Sequence, residues 1–182
     1  MPNTHIENYN KFEYLPQLPY NCIKYLMDND EETWKMLAYS TPDCWKASKA
    51  NLTKTEKGDL IYDGVKKPLD CRIFLDTGLD DSWNIEGCLL RITVLEVVPT
   101  NYIYGYVTMG FEIYTHYKCS TLSNYTSRLD AMAQKLISVF NGAEIGGLGV
   151  LYFDARASNR CKLSTIGSIP YRGKAVVLCN RI

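Results

Sequence analysis

Residues 102–119, YIYGYVTMGFEIYTHYKC, decide the fold because their side chains alternate in character over a long run. Apolar residues occupy every second position: Val107, Met109, Phe111 and Ile113. The positions between them are more polar and carry tyrosine: Tyr106, Thr108, Gly110, Glu112 and Tyr114. A period of two residues is typical of a strand with two different faces. We therefore predict a long strand with one buried face and one polar, tyrosine-bearing face.

A second long apolar run lies just before this strand. Residues 88–98 read CLLRITVLEVV, and the short turn PTN at 99–101 separates the two runs. Two strands joined by a short turn form an antiparallel hairpin. Further strands are predicted at 71–76 (CRIFLD), 150–153 (VLYF), 161–167 (CKLSTIG) and 174–179 (KAVVLC).

The clearest helix is predicted within LSNYTSRLDAMAQKLISVFNG at 122–142. Its apolar residues recur at helical spacing: Leu129, Met132, Ala133, Leu136, Ile137 and Phe140. Ser123 or Asn124 is the expected N-cap, and Asn141-Gly142 is the expected end. Such an amphipathic helix buries its apolar stripe, so we expect it to pack on the sheet.

The N-terminal third of the sequence predicts helices and loops and not strands. Residues 1–19 contain three prolines and predict an extended arm. From Tyr20 the pattern predicts two short helices or one kinked helix ending before Pro42, with a capping box from Asn29 to Glu32. Residues 41–69 carry six lysines and predict a long loop. One helical turn is expected there, started by a capping box from Thr53 to Glu56.

These elements predict an α+β fold with an antiparallel sheet packed by one long amphipathic helix. The 182 residues suit a single domain at 20–182 that follows the arm at 1–19 and contains the long loop at 41–69. We expect neither an export signal nor a membrane span.

Composition argues against several classes of protein. The formal net charge is zero, which does not favour a nucleic-acid binder. The seven cysteines include no CxxC pair, so a zinc ribbon or a disulfide scaffold is a poor fit, and a reducing compartment is the simpler account. We expect no metal, no cofactor and no enzymatic activity.

One motif points to an enzyme. Asp76-Thr77-Gly78 resembles the catalytic loop of an aspartic-type hydrolase, which needs two carboxylates and hence a dimer of this chain. Leu79 replaces the small residue expected next, and Asp80 and Asp81 would crowd the dyad with negative charge. A strand that ends in a turn is therefore the favoured interpretation, and the hydrolase is kept as the alternative.

Other catalytic signals are weaker. The segment IGGLG at 145–149 lacks the Lys-Ser/Thr ending of a phosphate loop and is interpreted as a turn between helix and strand. His5 and His116 are the only histidines, and His116 is expected on the polar face of its strand.

Two features predict contacts with partners. Tyrosines recur on one sheet face, at Tyr102, Tyr104, Tyr106 and Tyr114, and tyrosine is enriched at interfaces. Charge is polarised, because no acid follows Asp154 whereas DNDEE at 28–32 is acidic. One interpretation is two solvated surfaces. The other is head-to-tail contact between copies, with Arg156, Arg160 and Lys162 facing Asp30 and Glu31 of the next subunit.

The order of a helical N-terminus (LPYNCIKYLMDNDEETWKMLAYS), a strand hairpin, the helix SNYTSRLDAMAQKLISVFNGAEIGG and a closing strand pair resembles the neck and tail-completion proteins of tailed bacteriophages, including tail terminators. The resemblance covers residues 20–180 and rests on element order.

The resemblance implies a non-catalytic virion protein that forms a sixfold or twelvefold ring at the head–tail junction. Portal or connector proteins and tail tube proteins would be its neighbours, and DNA would pass through the lumen with only weak contact. A head-completion or other connector protein is an alternative within this class. A cytosolic adaptor is an alternative outside it, and it predicts a monomer or dimer.

Overall fold

The structure is a computed structural model that describes residues 15–75, 85–99, 105–146, 149–155 and 171–181. Its helices are α1 (Leu18–Asn29), α2 (Glu32–Ala38), α3 (Lys54–Asp59) and α4 (Arg128–Phe140). Its strands are β1 (Ile73–Leu75), β2 (Cys88–Pro99), β3 (Gly105–His116), β4 (Leu151–Phe153) and β5 (Tyr171–Arg181). These elements confirm the predicted α+β fold.

The five strands form one mixed sheet in the order β1-β2-β3-β5-β4. The predicted antiparallel hairpin of β2 and β3 is confirmed, with Leu90 opposite Ile113 and Ile92 opposite Phe111. Strand β5 pairs antiparallel with both β3 and β4. Strand β1 differs from the prediction because it runs parallel to β2. A parallel neighbour needs a crossover connection in place of a two-residue hairpin turn, and 12 residues separate β1 from β2.

The hydrophobic core lies between the helices and one face of this sheet. Val107, Met109, Phe111 and Ile113 of β3 are all 0% exposed, as their alternation predicted. Phe111 lies against Phe140 of α4, with 4.8 Å between the ring centroids. The apolar stripe of α4 therefore packs on the sheet as expected.

Helix α4 begins later than predicted. Its N-cap is Ser127, whose Oγ accepts a hydrogen bond from the Asp130 amide at 3.3 Å. Asn124, one of the two predicted caps, instead accepts from the amide and hydroxyl of Thr126. That Asx-type turn holds Tyr125 at a φ of 62°, so the chain there is a turn and not a helix.

A buried arginine joins α4 to α2. Arg128 is 0% exposed. Its guanidinium donates to four backbone carbonyls at and beyond the end of α2, at distances of 2.6–3.1 Å: Met36, Tyr39, Ser40 and Thr41. The last carbonyls of a helix lack intrahelical partners. Arg128 supplies donors to one buried carbonyl, that of Met36, and to three partly buried ones.

The lysine-rich segment at 41–69 packs against the helices at several points. Cys44 is buried, and so is Lys57, at 2% exposure. Lys57 Nζ donates to the Met27 carbonyl at 2.9 Å and also pairs with Glu31. After α3, Ile61 forms a parallel bridge with Ile73 of β1.

Replacing Thr53 with alanine is expected to lower the free energy of unfolding by about 1 kcal/mol, because it removes an N-cap. The predicted capping box is present: the Glu56 amide donates to Thr53 Oγ1 at 3.3 Å, and the Thr53 amide donates to Glu56 Oε2 at 2.7 Å. Urea unfolding measures the effect. Thr55→Ala within the same helix is the matched control and should change stability little. Equal losses from both variants would contradict the capping role.

Candidate functional site

The second face of the sheet divides into a covered end and an open end. At the covered end, Phe74 and Leu89 pack with Tyr114 in a small cluster that also contains Cys71 and Ile85. Tyr114 is only 8% exposed, and its hydroxyl donates to Glu112 at 3.0 Å. The expected tyrosine-bearing face is present, but Tyr114 is covered by the chain itself. Its place in a subunit interface stays a prediction, although residues of its own chain cover most of the side chain.

At the open end, four large side chains point away from the core, and each is 44–60% exposed: Leu95, Val98, Tyr106 and Tyr152. Strand pairing places them on neighbouring strands. Val98 lies opposite Tyr106, and Cys179 lies between Thr108 and Tyr152. We call these four residues the open sheet face.

A β-bulge shapes this surface. The register of β2 and β3 shifts between Val94 and Glu96, which leaves Leu95 as the extra residue. The Leu95 side chain lies over Gly110, where an added Cβ would come within 2.9 Å of Leu95 Cγ. Gly110 thus provides the space that Leu95 occupies, and a larger residue there would displace Leu95.

Polar groups lie beside the open sheet face. Arg91 and Glu112 form an ion pair at 2.6 Å near its border with the covered end. Cys179 Sγ lies 3.7 Å from Asp154 Oδ2 and 3.8 Å from Thr108 Oγ1. Burial raises the pKa of the Cys179 thiol and the nearby Asp154 carboxylate raises it further. The thiol therefore stays protonated, which makes it a poor nucleophile.

The acidic patch is largely used inside the molecule. Asp30 is 7% exposed and accepts from the Thr33 amide at 2.8 Å. Lys135 Nζ lies 3.6 Å from Asp30 and 3.2 Å from Glu32. Glu31 pairs with the buried Lys57. Within the chain, Asp30 and Glu31 pair with lysines of α4 and α3. Their contact with another subunit stays a prediction.

The sequence did not indicate these ion pairs because Lys57 and Lys135 are distant along the chain. Four acids and three lysines meet around α1 and α2, since Asp28 also pairs with Lys54. The four acids alone would carry a charge of −4, and together with the three lysines they carry a net charge of −1. Glu32 in this patch is exposed, and it shares Lys135 with Asp30.

The remaining predicted site residues lie outside the residues that the structure describes: Tyr102, Tyr104, Arg156, Arg160 and Lys162. They stay predictions. The Asp76-Thr77-Gly78 triplet of the alternative hydrolase also lies outside the described ranges.

The other singled-out residues are structural in character. His116 was expected on a polar face but is 3% exposed, and burial lowers the pKa of its imidazole. Its Nδ1 accepts from the Lys118 amide at 3.4 Å, which caps the short 3₁₀ turn that follows β3. Gly146 and Gly149 adopt positive φ angles in the turn between α4 and β4, as the glycine-rich sequence predicted.

Within the described ranges, no group of three or more His, Cys, Asp or Glu residues is placed to hold a metal ion. The helices in those ranges include none that is both long and apolar enough to cross a membrane.

Comparison with known proteins identifies a family. A family model described as YomW matches residues 30–165, which include α2, the β2–β3 hairpin and α4 but not α1. No curated protein matches the chain. Because the match covers most of the 182 residues, the chain belongs to the YomW family, a phage-associated family that takes its name from a phage-derived Bacillus gene.

Proposed function

We propose that this protein is a structural subunit of the phage particle and forms a ring at the neck, where head and tail join, as a tail terminator or tail-completion protein. The proposed role involves no catalytic step. The family supports a phage association. The observation that carries the structural role is the open sheet face, where two tyrosines and two aliphatic residues stand exposed on one continuous sheet.

Clustered exposed apolar residues on a sheet indicate an interaction surface. Tyrosine suits such a surface because it buries a large area while its hydroxyl keeps a polar partner. Single exposed apolar residues are common on folded proteins, but these four share one face of neighbouring strands. In the proposed ring, this face is buried against the adjacent subunit.

We expect the double variant Val98→Glu with Tyr106→Glu to lose the ring and remain a folded monomer. Both residues lie on the open sheet face and are 44% and 45% exposed, so charge there should not disturb the core. Burying two carboxylates at an interface without partners is strongly unfavourable. Native mass spectrometry measures the oligomer, and circular dichroism checks the fold.

Val65→Glu with Leu69→Glu is the matched control, since these residues are 91% and 53% exposed and belong to the segment before β1, outside the open sheet face. The control should assemble like the wild type. A monomeric wild-type protein at all concentrations would refute the ring. Normal assembly of the Val98 and Tyr106 variant would show that the open sheet face is not its interface.

The proposed ring should bind DNA weakly. Each phosphate that a protein neutralises adds affinity through counterion release, and the formal net charge of this chain is zero. A net charge of zero is compatible with a lumen through which DNA slides without binding tightly. In gel shifts, we expect binding at low salt to vanish near physiological salt. Tight, sequence-selective binding at physiological salt would contradict a role as a DNA conduit.

A further inference from the structure

A groove separate from the open sheet face lies among α2, the 121–126 turn and α4. Its volume is about 340 Å³, which is in the range of pockets that hold one or two side chains or a small ligand. Met36 comes from α2, Leu122 from the turn, and Ala131 and Lys135 from α4. We call this cavity the helix groove.

The helix groove has an apolar floor and an aromatic wall. Met36 and Leu122 are 3% and 4% exposed and line the groove with Ala131. Trp45 forms part of the wall and is 37% exposed. A partly exposed tryptophan beside buried aliphatic side chains is a favourable contact for an apolar side chain from a partner.

The rim of the helix groove carries one net negative charge. Lys135 Nζ lies between Asp30 and Glu32, so two carboxylates share one ammonium group. The Asp30 side chain is 3% exposed, whereas the Glu32 side chain is 55% exposed. A partner with a cationic group near its apolar side chain would place that group at Glu32.

The chain itself contains a segment in which cationic side chains lie next to an apolar one. After Asp154 there are six basic residues and no acid, and Arg160 and Lys162 are followed directly by Leu163. We propose that the helix groove binds segment 156–163 of a neighbouring copy, with an apolar side chain against Trp45 and a cationic one at Glu32. This inference rests on the proposed ring, for which it supplies a second contact between subunits.

A binding experiment tests the inference on the full chain. The receiving protein carries Arg160→Glu and Lys162→Glu, so that its own segment does not compete. The probe is a synthetic peptide of residues 156–167 with serine at position 161, and the signal is tryptophan fluorescence. We expect saturable binding by this peptide and none by the same peptide with glutamate at 160 and 162.

Two further variants locate the site. Glu32→Lys in the receiving protein should weaken peptide binding at least tenfold, whereas Asp59→Lys, which changes an exposed acid on α3, should leave it unchanged. Peptide binding that is absent, or equally strong with Glu32→Lys, overturns the inference.

Native mass spectrometry of the single variant Glu32→Lys separates the remaining outcomes. We expect its rings to be less stable than those of the wild type. Unchanged rings together with peptide binding at the groove would mean that each chain fills its own groove, which also overturns a contact between copies. Stable wild-type rings without peptide binding refute this inference alone, whereas a monomeric wild-type protein refutes the ring.

Discussion

Replacing Arg128 with methionine is expected to lower the free energy of unfolding by about 3–5 kcal/mol, because one buried and three partly buried carbonyls would lose hydrogen bonds to a charged donor. Nη1 donates to the carbonyls of Met36 and Tyr39, and Nη2 donates to those of Ser40 and Thr41. Methionine fills much of the space but donates no hydrogen bond. Urea unfolding, followed by circular dichroism, measures the change.

Arg128→Lys keeps the charge but has fewer donors and no planar fork, so its loss should be smaller than that of the methionine variant. Lys54→Met is the matched control, because the side chain of Lys54 is 83% exposed and its ion pair with Asp28 lies at the surface. This control should have nearly wild-type stability. If the Arg128 and Lys54 variants were equally stable, the four hydrogen bonds would contribute nothing to the fold.

Replacing Phe140 with alanine should also cost about 3–5 kcal/mol, through a cavity in the core. Phe140 is 0% exposed at the end of α4. Its ring lies 4.8 Å from that of Phe111 on the sheet and 5.8 Å from that of Tyr25 on α1, measured between centroids. The side chain therefore joins three elements, and its loss leaves a space that none of them fills without moving.

Phe140→Leu should cost less than Phe140→Ala because it leaves a smaller cavity. Val65→Ala is the control for truncation as such, since Val65 is 91% exposed, and it should change stability little. Thermal or urea unfolding gives the three values. A loss below about 1 kcal/mol for Phe140→Ala would show that the core collapses into the space.

Local periodicity accounts for the parts of the fold that the sequence predicted well. Alternation along β3 identified the buried face from Val107 to Ile113, and helical spacing identified the stripe of α4 from Leu129 to Phe140. The Thr53 capping box was also predictable because both partners lie within four residues. In each case the pattern that predicts the structure lies within a short stretch of sequence.

Features that depend on distant residues were missed. Tyr114 was expected on an open polar face, but it is buried in a cluster with Phe74 and Leu89 from two other strands. The ion pairs of Asp30 with Lys135 and of Glu31 with Lys57 were not foreseen, because the lysines lie far along the chain. The open sheet face was predicted only in part, because alternation identifies the second face of a strand but not which end the rest of the chain covers.

The reach of Arg128 has a consequence for the order of events during synthesis. The carbonyls that it binds belong to residues 36–41, so the partners are separated by 87 to 92 positions. Helix α2 has only seven residues, too few to be stable alone in water. While the ribosome is still making the middle of the chain, the end of α2 must remain hydrated. The N-terminal helices therefore reach their final packing only after α4 has emerged, and a nascent chain halted before residue 128 would lack this connection.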